Sequence, residues 1–211
     1  MARKIYEPSE NEDSLSTEEQ GAEPIVDSQL QTQSRELYAN FVREEIQLQG
    51  LPVPHVPSLD DIQFSNPLWV CNASSLRQLA NEFSLSPLRN EVRYRAQSVD
   101  LTTLNGQNFS EMIQEVFSGG SLTKERILVV FFFCSDVALF ALQNHTLNLF
   151  SKLIQWSTDY IAGRFSNFIH SQGGWTAVLN NSMNTLLKMS ATAACCVAVI
   201  AMLVFIRNNW K

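Results

Sequence analysis

The chain has 211 residues and a formal net charge of −6, room for one domain of about 150 residues with appendages. Residues 1–30 hold eight acidic and two basic side chains, and the other 181 hold thirteen of each, so the charge sits in an N-terminal arm and the body is neutral. A body without a basic stripe gives no reason to expect nucleic acid as a partner. Cys71, Cys134, Cys195 and Cys196 stand among apolar neighbours without CxxC spacing, which fits buried hydrophobes better than a disulfide or zinc framework.

The first thirteen residues, MARKIYEPSENED, lack the apolar core of a secretory signal. A cytosolic N-terminus is therefore expected, and the glycosylation-type triplets at Asn72, Asn108, Asn144 and Asn180 read as chance matches. Residues 1–33 are acidic and poor in large apolar side chains, the composition of a disordered arm.

Ser34 to Gln49 places Leu37, Phe41, Ile46 and Leu48 near one face, an amphipathic helix ended by Gly50 and Pro52. Leu51 to Pro57 holds three prolines in seven residues and reads as an extended linker. Ser58 with Asp61 can cap a short turn, which Asn66 and Pro67 interrupt. Ser74 to Ser86 is helical by pattern, with Leu76, Leu79 and Phe83 sharing a face, and Pro87 ends it. Leu88 to Gln97 restarts as a short basic helix. Asn108 with Glu111 resembles a capping box for Phe109 to Phe117, stopped by Ser118, Gly119 and Gly120.

Ile127 to Leu142, ILVVFFFCSDVALFAL, is apolar apart from Ser135 and Asp136. Its sixteen residues make about 24 Å of helix, short of the ~30 Å hydrocarbon core of a bilayer. The expectation is a helix buried on all sides; a strand over Ile127 to Phe133 is the competing reading, weakened by the run's length. A short turn at Asn144 and His145 leads to a second long helix, Leu147 to Phe165, so the two form an antiparallel hairpin. Asp136 must reach solvent, be paired or stay protonated. Either it lies on an exposed edge, or it pairs with Arg164 or another cation and is exposed when the hairpin opens. Gln172-Gly173-Gly174-Trp175 begins a further short helix through Leu179. No alternating strand pattern appears, so the body is expected to be all-α.

Met189 to Ile206 is eighteen residues without a charge, between Lys188 and Arg207. At about 27 Å it can just span a membrane. The favoured reading is a C-terminal transmembrane tail anchor facing the cytosol, with Val197, Ile200, Leu203 and Phe205 as its apolar body. The other reading is a buried last helix, or a tail folded back on the body.

Nothing in the pattern suggests an enzyme. His55, His145 and His170 are far apart and lack acidic or cysteine partners at ligand spacing. Gly119-Gly120 lacks the strand and lysine of a phosphate loop, and the acidic pairs Glu44-Glu45 and Asp60-Asp61 read as solvated. No cofactor or metal is expected.

The helix order, with an apolar hairpin at its centre and an apolar tail, resembles the Bcl-2 family of apoptosis regulators. Phe168-Ile169-His170-Ser171-Gln172-Gly173-Gly174-Trp175 is similar to the family's second homology motif, in which two glycines precede a tryptophan. Phe133 to Leu139 is similar to the central helix of the Bax/Bak-like branch, Ser34 to Gly50 to its first helix, and Arg77-Gln78-Leu79-Ala80 to the start of its death motif. The first homology motif keeps only Arg126 of its Asn-Trp-Gly-Arg pattern, with Thr123, Lys124 and Glu125 at the other positions. Counted from Leu79, the death motif's small residue and aspartate fall on Phe83 and Ser84, which fit neither role. Glu125 either neutralises Arg126 and repels an incoming aspartate, so that the groove binds death-motif helices poorly, or is a solvated first-turn residue.

The resemblance implies a Bcl-2-like helical bundle over 34–187 and a transmembrane tail over 188–211. It implies a death-motif helix carrying Leu76, Leu79 and Phe83, and a groove lined by Phe109, Met112, Val116, Glu125 and Arg126. It further implies action at the mitochondrial outer membrane through other Bcl-2 family proteins, homo-oligomers and membrane lipid, with a pro-apoptotic, permeabilising outcome; the endoplasmic reticulum is the other candidate membrane. A pro-survival member that sequesters death-motif helices, and a regulator of mitochondrial ion or calcium handling, are the alternatives.

Overall fold

The structure, a computed structural model, describes residues 24–60, 67–115 and 122–180, together with Ala198, Ala201, Met202, Val204 and Phe205. Among these residues there are nine helices and no strand. They are α1 (Pro24–Leu48), α2 (Pro57–Asp60), α3 (Pro67–Ser84), α4 (Pro87–Gln97), α5 (Gly106–Glu115), α6 (Lys124–Gln143), α7 (Leu147–Arg164), α8 (Ser166–Ser171) and α9 (Trp175–Asn180).

Four of these helices open on a proline, whose fixed φ suits the first helical turn and whose missing N–H is not needed there. This corrects two expected boundaries. Pro67 starts α3 instead of interrupting a turn, so that helix begins seven residues before Ser74. Pro24 starts α1, which moves residues 24–33 out of the acidic arm and into the first helix. The cap of α5 also differs: the Asn105 side chain, not that of Asn108, accepts from the Asn108 N–H at 2.9 Å. At α6, the Thr123 hydroxyl accepts from the Arg126 N–H at 3.4 Å.

The expected central hairpin is present. Every residue of α6 from Arg126 to Leu139 is buried, because α4 covers one side and α1 and α7 cover others. His145, at φ 58°, makes the turn, and the N–H and hydroxyl of Thr146 both donate to the Ala141 carbonyl, at 3.0 and 2.7 Å. Successive phenylalanines of α6 serve different neighbours. Phe131 meets Tyr38 and Phe41 of α1 edge-on at 5.2 and 5.6 Å and Trp175 of α9 at 6.0 Å. Phe132 meets Phe41 at 5.0 Å and Phe83 of α3 at 5.3 Å. Aromatic pairs in these geometries each add about 0.5–1.5 kcal/mol beyond area burial.

No helix among the described residues is long and apolar enough to cross a membrane. Most of the Met189–Ile206 run, including Val197, Ile200 and Leu203, lies outside the described residues. Of its described members, Phe205 is exposed and Val204 is buried within the core cluster.

Candidate functional site

The face that α3 turns to the body determines how its motif is read. Leu76, Ala80 and Phe83 are buried, four and then three residues apart, one stripe of a 3.6-residue period. Leu79 is only partly buried against the same core. Four residues after Leu76 stands a small residue, Ala80, and Asn81 follows it. The buried stripe favours counting the resembled motif from Leu76, whereas the count from Leu79 puts Phe83 and Ser84 at these positions. Phe83 is the last apolar anchor, stacked on Phe132, and Ser84 only returns its hydroxyl to the Ala80 carbonyl at 2.8 Å. Asn81 supplies an amide where the family pattern has a carboxylate.

The expected groove is not an open trough at its named residues. Phe109 and Met112 are buried, and Phe109 lies 6.2 Å from Trp156 of α7. Arg126 is buried as well, while Glu125, in the first turn of α6, is half-buried. Val116 lies outside the described residues. A separate cleft of about 430 Å³ lies between α1 and α3, lined by Asn40, Glu44, Val70, Arg77, Gln78 and Asn81 among others.

The Gly-Gly-Trp segment, which resembles the family's second homology motif, forms a corner. Gly173 and Gly174 adopt φ of 88° and 91°, a region open to glycine and strained for other residues. Their N–H groups cap α8 through the His170 and Ile169 carbonyls, at 3.0 and 2.8 Å. The corner turns Trp175 inward, where its indole N–H donates to the Ser34 hydroxyl of α1 at 2.9 Å and its ring is almost fully buried. One turn earlier in α3, Asn72 is buried and accepts from the Thr176 hydroxyl at 3.0 Å, which joins α3 to α9 and keeps that side chain from the surface.

Asp136 is neither on an exposed edge nor paired with Arg164, which is exposed on α7. It is buried, and Arg89 of α4 donates to it from both terminal guanidinium nitrogens, at 2.5 and 2.8 Å. The Arg89 guanidinium also lies over the Phe132 ring at 4.2 Å. Burial raises the Asp136 carboxyl above its ordinary value, opposed by Arg89 and more weakly by Arg93. Glu45 of α1 is the second buried carboxylate: Arg77 of α3 donates to it at 2.9 Å, and Arg89 lies 3.7 Å from its other oxygen. Arg77 in turn lies over the Phe41 ring at 5.3 Å. Four helices thus meet at two carboxylates and two guanidinium groups, none of them exposed. The sequence signal for this is weak: Arg89 sits in a segment that reads only as a short basic helix.

Elsewhere, burial pushes the Cys134 thiol up to about 12, whereas Cys71 is exposed. Three units above the ordinary thiol value cut the reactive thiolate about 1000-fold. In a chain with Cys71, Cys195 and Cys196 replaced by serine, a neutral-pH thiol reagent should label Cys134 at least that much slower than it labels Cys71 when Cys71 is the sole cysteine. Rapid labelling of Cys134 in aqueous buffer would mean that α6 is not buried as described. No group of three or more His, Cys, Asp or Glu among the described residues could hold a metal ion.

Comparison with known proteins agrees with this arrangement. Residues 76–175 match the family model described as apoptosis regulator proteins, Bcl-2 family. Over 72 residues the chain is 31% identical to apoptosis regulator BAX of Bos taurus and 29% identical to that of Homo sapiens, covering 34% of this chain. The match spans 38% of the length of these curated relatives. Among solved structures, chicken BOK is similar with a TM-score of 0.60 at 11% identity, over 74% of this chain and 99% of that one. Trichoplax adhaerens trBcl-2L2 bound to trBak BH3 is similar with a TM-score of 0.59 at 16% identity, over 72% and 98%. Residues 76–175 thus match the Bcl-2 family model, and the described helices share the all-helical fold of these solved structures.

Proposed function

We propose that the protein is a regulator of apoptosis that acts at the mitochondrial outer membrane and promotes death by oligomerising and permeabilising the bilayer. The observation that carries this reading is α6, a helix apolar around nearly its whole circumference and buried from Arg126 to Leu139, within the stretch that matches the Bcl-2 family model. Such a helix can exchange protein contacts for lipid at modest net cost, since hydrocarbon and protein core are similar solvents for leucine and phenylalanine. The BAX similarity supports the permeabilising direction. In this reading, residues 188–211 anchor the chain in the membrane, and α3, through Leu76, Ala80 and Phe83, is the segment exposed on activation and offered to other Bcl-2 family proteins or to a second copy of the chain.

A second reading is supported by the similarity to trBcl-2L2, whose solved structure holds a BH3 segment: a groove member that sequesters death-motif helices and thereby opposes permeabilisation. Liposomes loaded with a fluorescent dye separate the two. Full-length protein alone should release dye; no release of its own combined with suppression of release by added BAX would establish the second reading instead. Deleting 189–211 should move the protein from the membrane to the soluble fraction, and retention on the membrane would refute the anchor.

A further inference from the structure

The two buried carboxylates and their guanidinium partners form a chain rather than two separate pairs. Glu45 has one carboxylate oxygen on Arg77 at 2.9 Å and the other 3.7 Å from Arg89, and Arg89 spends its fork on Asp136. Glu45, Arg89 and Asp136 are each 3–4% exposed, so little water screens one member from the next. The rings beneath the two guanidinium groups, Phe41 and Phe132, are themselves in edge-to-face contact at 5.0 Å. With α3 seated the set is balanced, two negative and two positive groups. Glu44, the other partner of Arg77 at 3.5 Å, is about one-third exposed and keeps its hydration. Arg93 and three glutamines, Gln49, Gln97 and Gln143, line a cleft of about 370 Å³ that reaches Asp136 from the solvent side.

We propose that Glu45 is the shared member of a charge relay that couples the seating of α3 to the docking of α4 on the central hairpin. When α3 leaves the body, Arg77 leaves with it, and the buried set has one negative charge in excess. Glu45 then competes with Asp136 for Arg89, whose nearest nitrogen is already 3.7 Å away. The competition weakens the buried Arg89–Asp136 clamp between α4 and α6, and the cleft beside Arg93 lets water in. By linkage the effect is reciprocal: a loosened α4 frees Arg89 for Glu45 and lowers the hold on Arg77. Release of the motif helix and loosening of the hairpin's cover are thereby one event, communicated by a re-pairing of named side chains. The relay rests on the reading in which α3 is the segment exposed on activation.

A double-mutant cycle on the full chain tests it, read by hydrogen exchange of the α3 and α4 amides under native conditions. Arg77→Gln and Asp136→Asn are made singly and together, first with Glu45 present and then in a Glu45→Gln background. With Glu45 present, R77Q should raise exchange in α4 as well as in α3, and the double variant should depart from the product of the single effects by at least fivefold. In the E45Q background the effects should multiply. Independent effects with Glu45 present would overturn the relay, and a departure that survives E45Q would overturn the role of Glu45. Should D136N fail to fold, Arg77→Lys and Asp136→Glu retain every charge while altering the contacts, and the same two outcomes decide. Arg35→Gln, which removes an exposed pair with Asp159 between α1 and α7, is the control and should combine independently with D136N.

Discussion

Replacing Arg89 by methionine alone should destabilise the protein by about 3–5 kcal/mol, whereas Arg89→Met combined with Asp136→Leu should recover most or all of that loss. The asymmetry follows from burial. Asp136 is 3% exposed and its partner comes from a single side chain of another helix, so removing Arg89 leaves a carboxylate with no guanidinium and little water. Removing both replaces a desolvated pair with apolar volume beside Phe132, which costs little. Chemical denaturation of the three chains, followed by circular dichroism, measures this. A double variant no more stable than R89M would show that the pair contributes through its exact geometry instead of through charge balance.

The same carboxyl predicts a pH dependence whose sign can be worked out. Its value in the folded chain lies above the ordinary 3.8, because burial outweighs the pull of Arg89. For a group raised on folding, the associated stability is fully present below the unfolded value and is lost as pH rises through the folded one. Wild type should therefore lose stability relative to Asp136→Asn as pH rises above about 4, and denaturation midpoints of the two chains across the acid range should diverge in that direction. A difference that stays flat with pH would show that Asp136 titrates alike in both states.

Trp175→Ala carries the second large effect, a loss of about 3–5 kcal/mol. The indole fills the junction of α1, α6 and α9, almost fully buried, and touches Phe131. Collapse of the surroundings around such a gap is limited, since the Gly173 and Gly174 N–H groups tie the preceding corner to the His170 and Ile169 carbonyls of α8. The hydrogen bond can be separated from the volume: Ser34→Ala removes the acceptor of the indole N–H, leaving a buried donor unmet, and should cost about 1–3 kcal/mol. If S34A equals W175A in effect, packing of the ring contributes little and the argument from volume fails.

How much of this could be read from the residues alone varies with the range of the interaction. The hairpin was legible because sixteen nearly uninterrupted apolar residues, a three-residue turn and a second periodic segment are local features. The Gly-Gly-Trp corner was legible for the same reason: positive φ at two adjacent residues demands glycine wherever the chain is going. Two helix starts lie elsewhere than the sequence suggests: Pro67 reads as an interruption, and the segment at Pro24 reads by composition as part of the acidic arm. Pro24 and Pro67 are favourable at a first turn, and only the packing of the following residues tells a start from an interruption.

The motif register and the buried charges needed three dimensions. Leu76 and Leu79 are both spaced to share a face with Phe83, and the sequence does not say which the core covers more fully; the body does, by burying Leu76 and Ala80 together. Nor could the partner of Asp136 be read along the chain, since Arg89 lies 47 residues away in a helix of unremarkable composition. Composition, periodicity and glycine placement thus determined that the chain forms helices around an apolar hairpin. Which charges meet, and hence what holds α3 and α4 to that hairpin, was decided by tertiary structure, because a buried carboxylate must find its cation in space and no local rule says where.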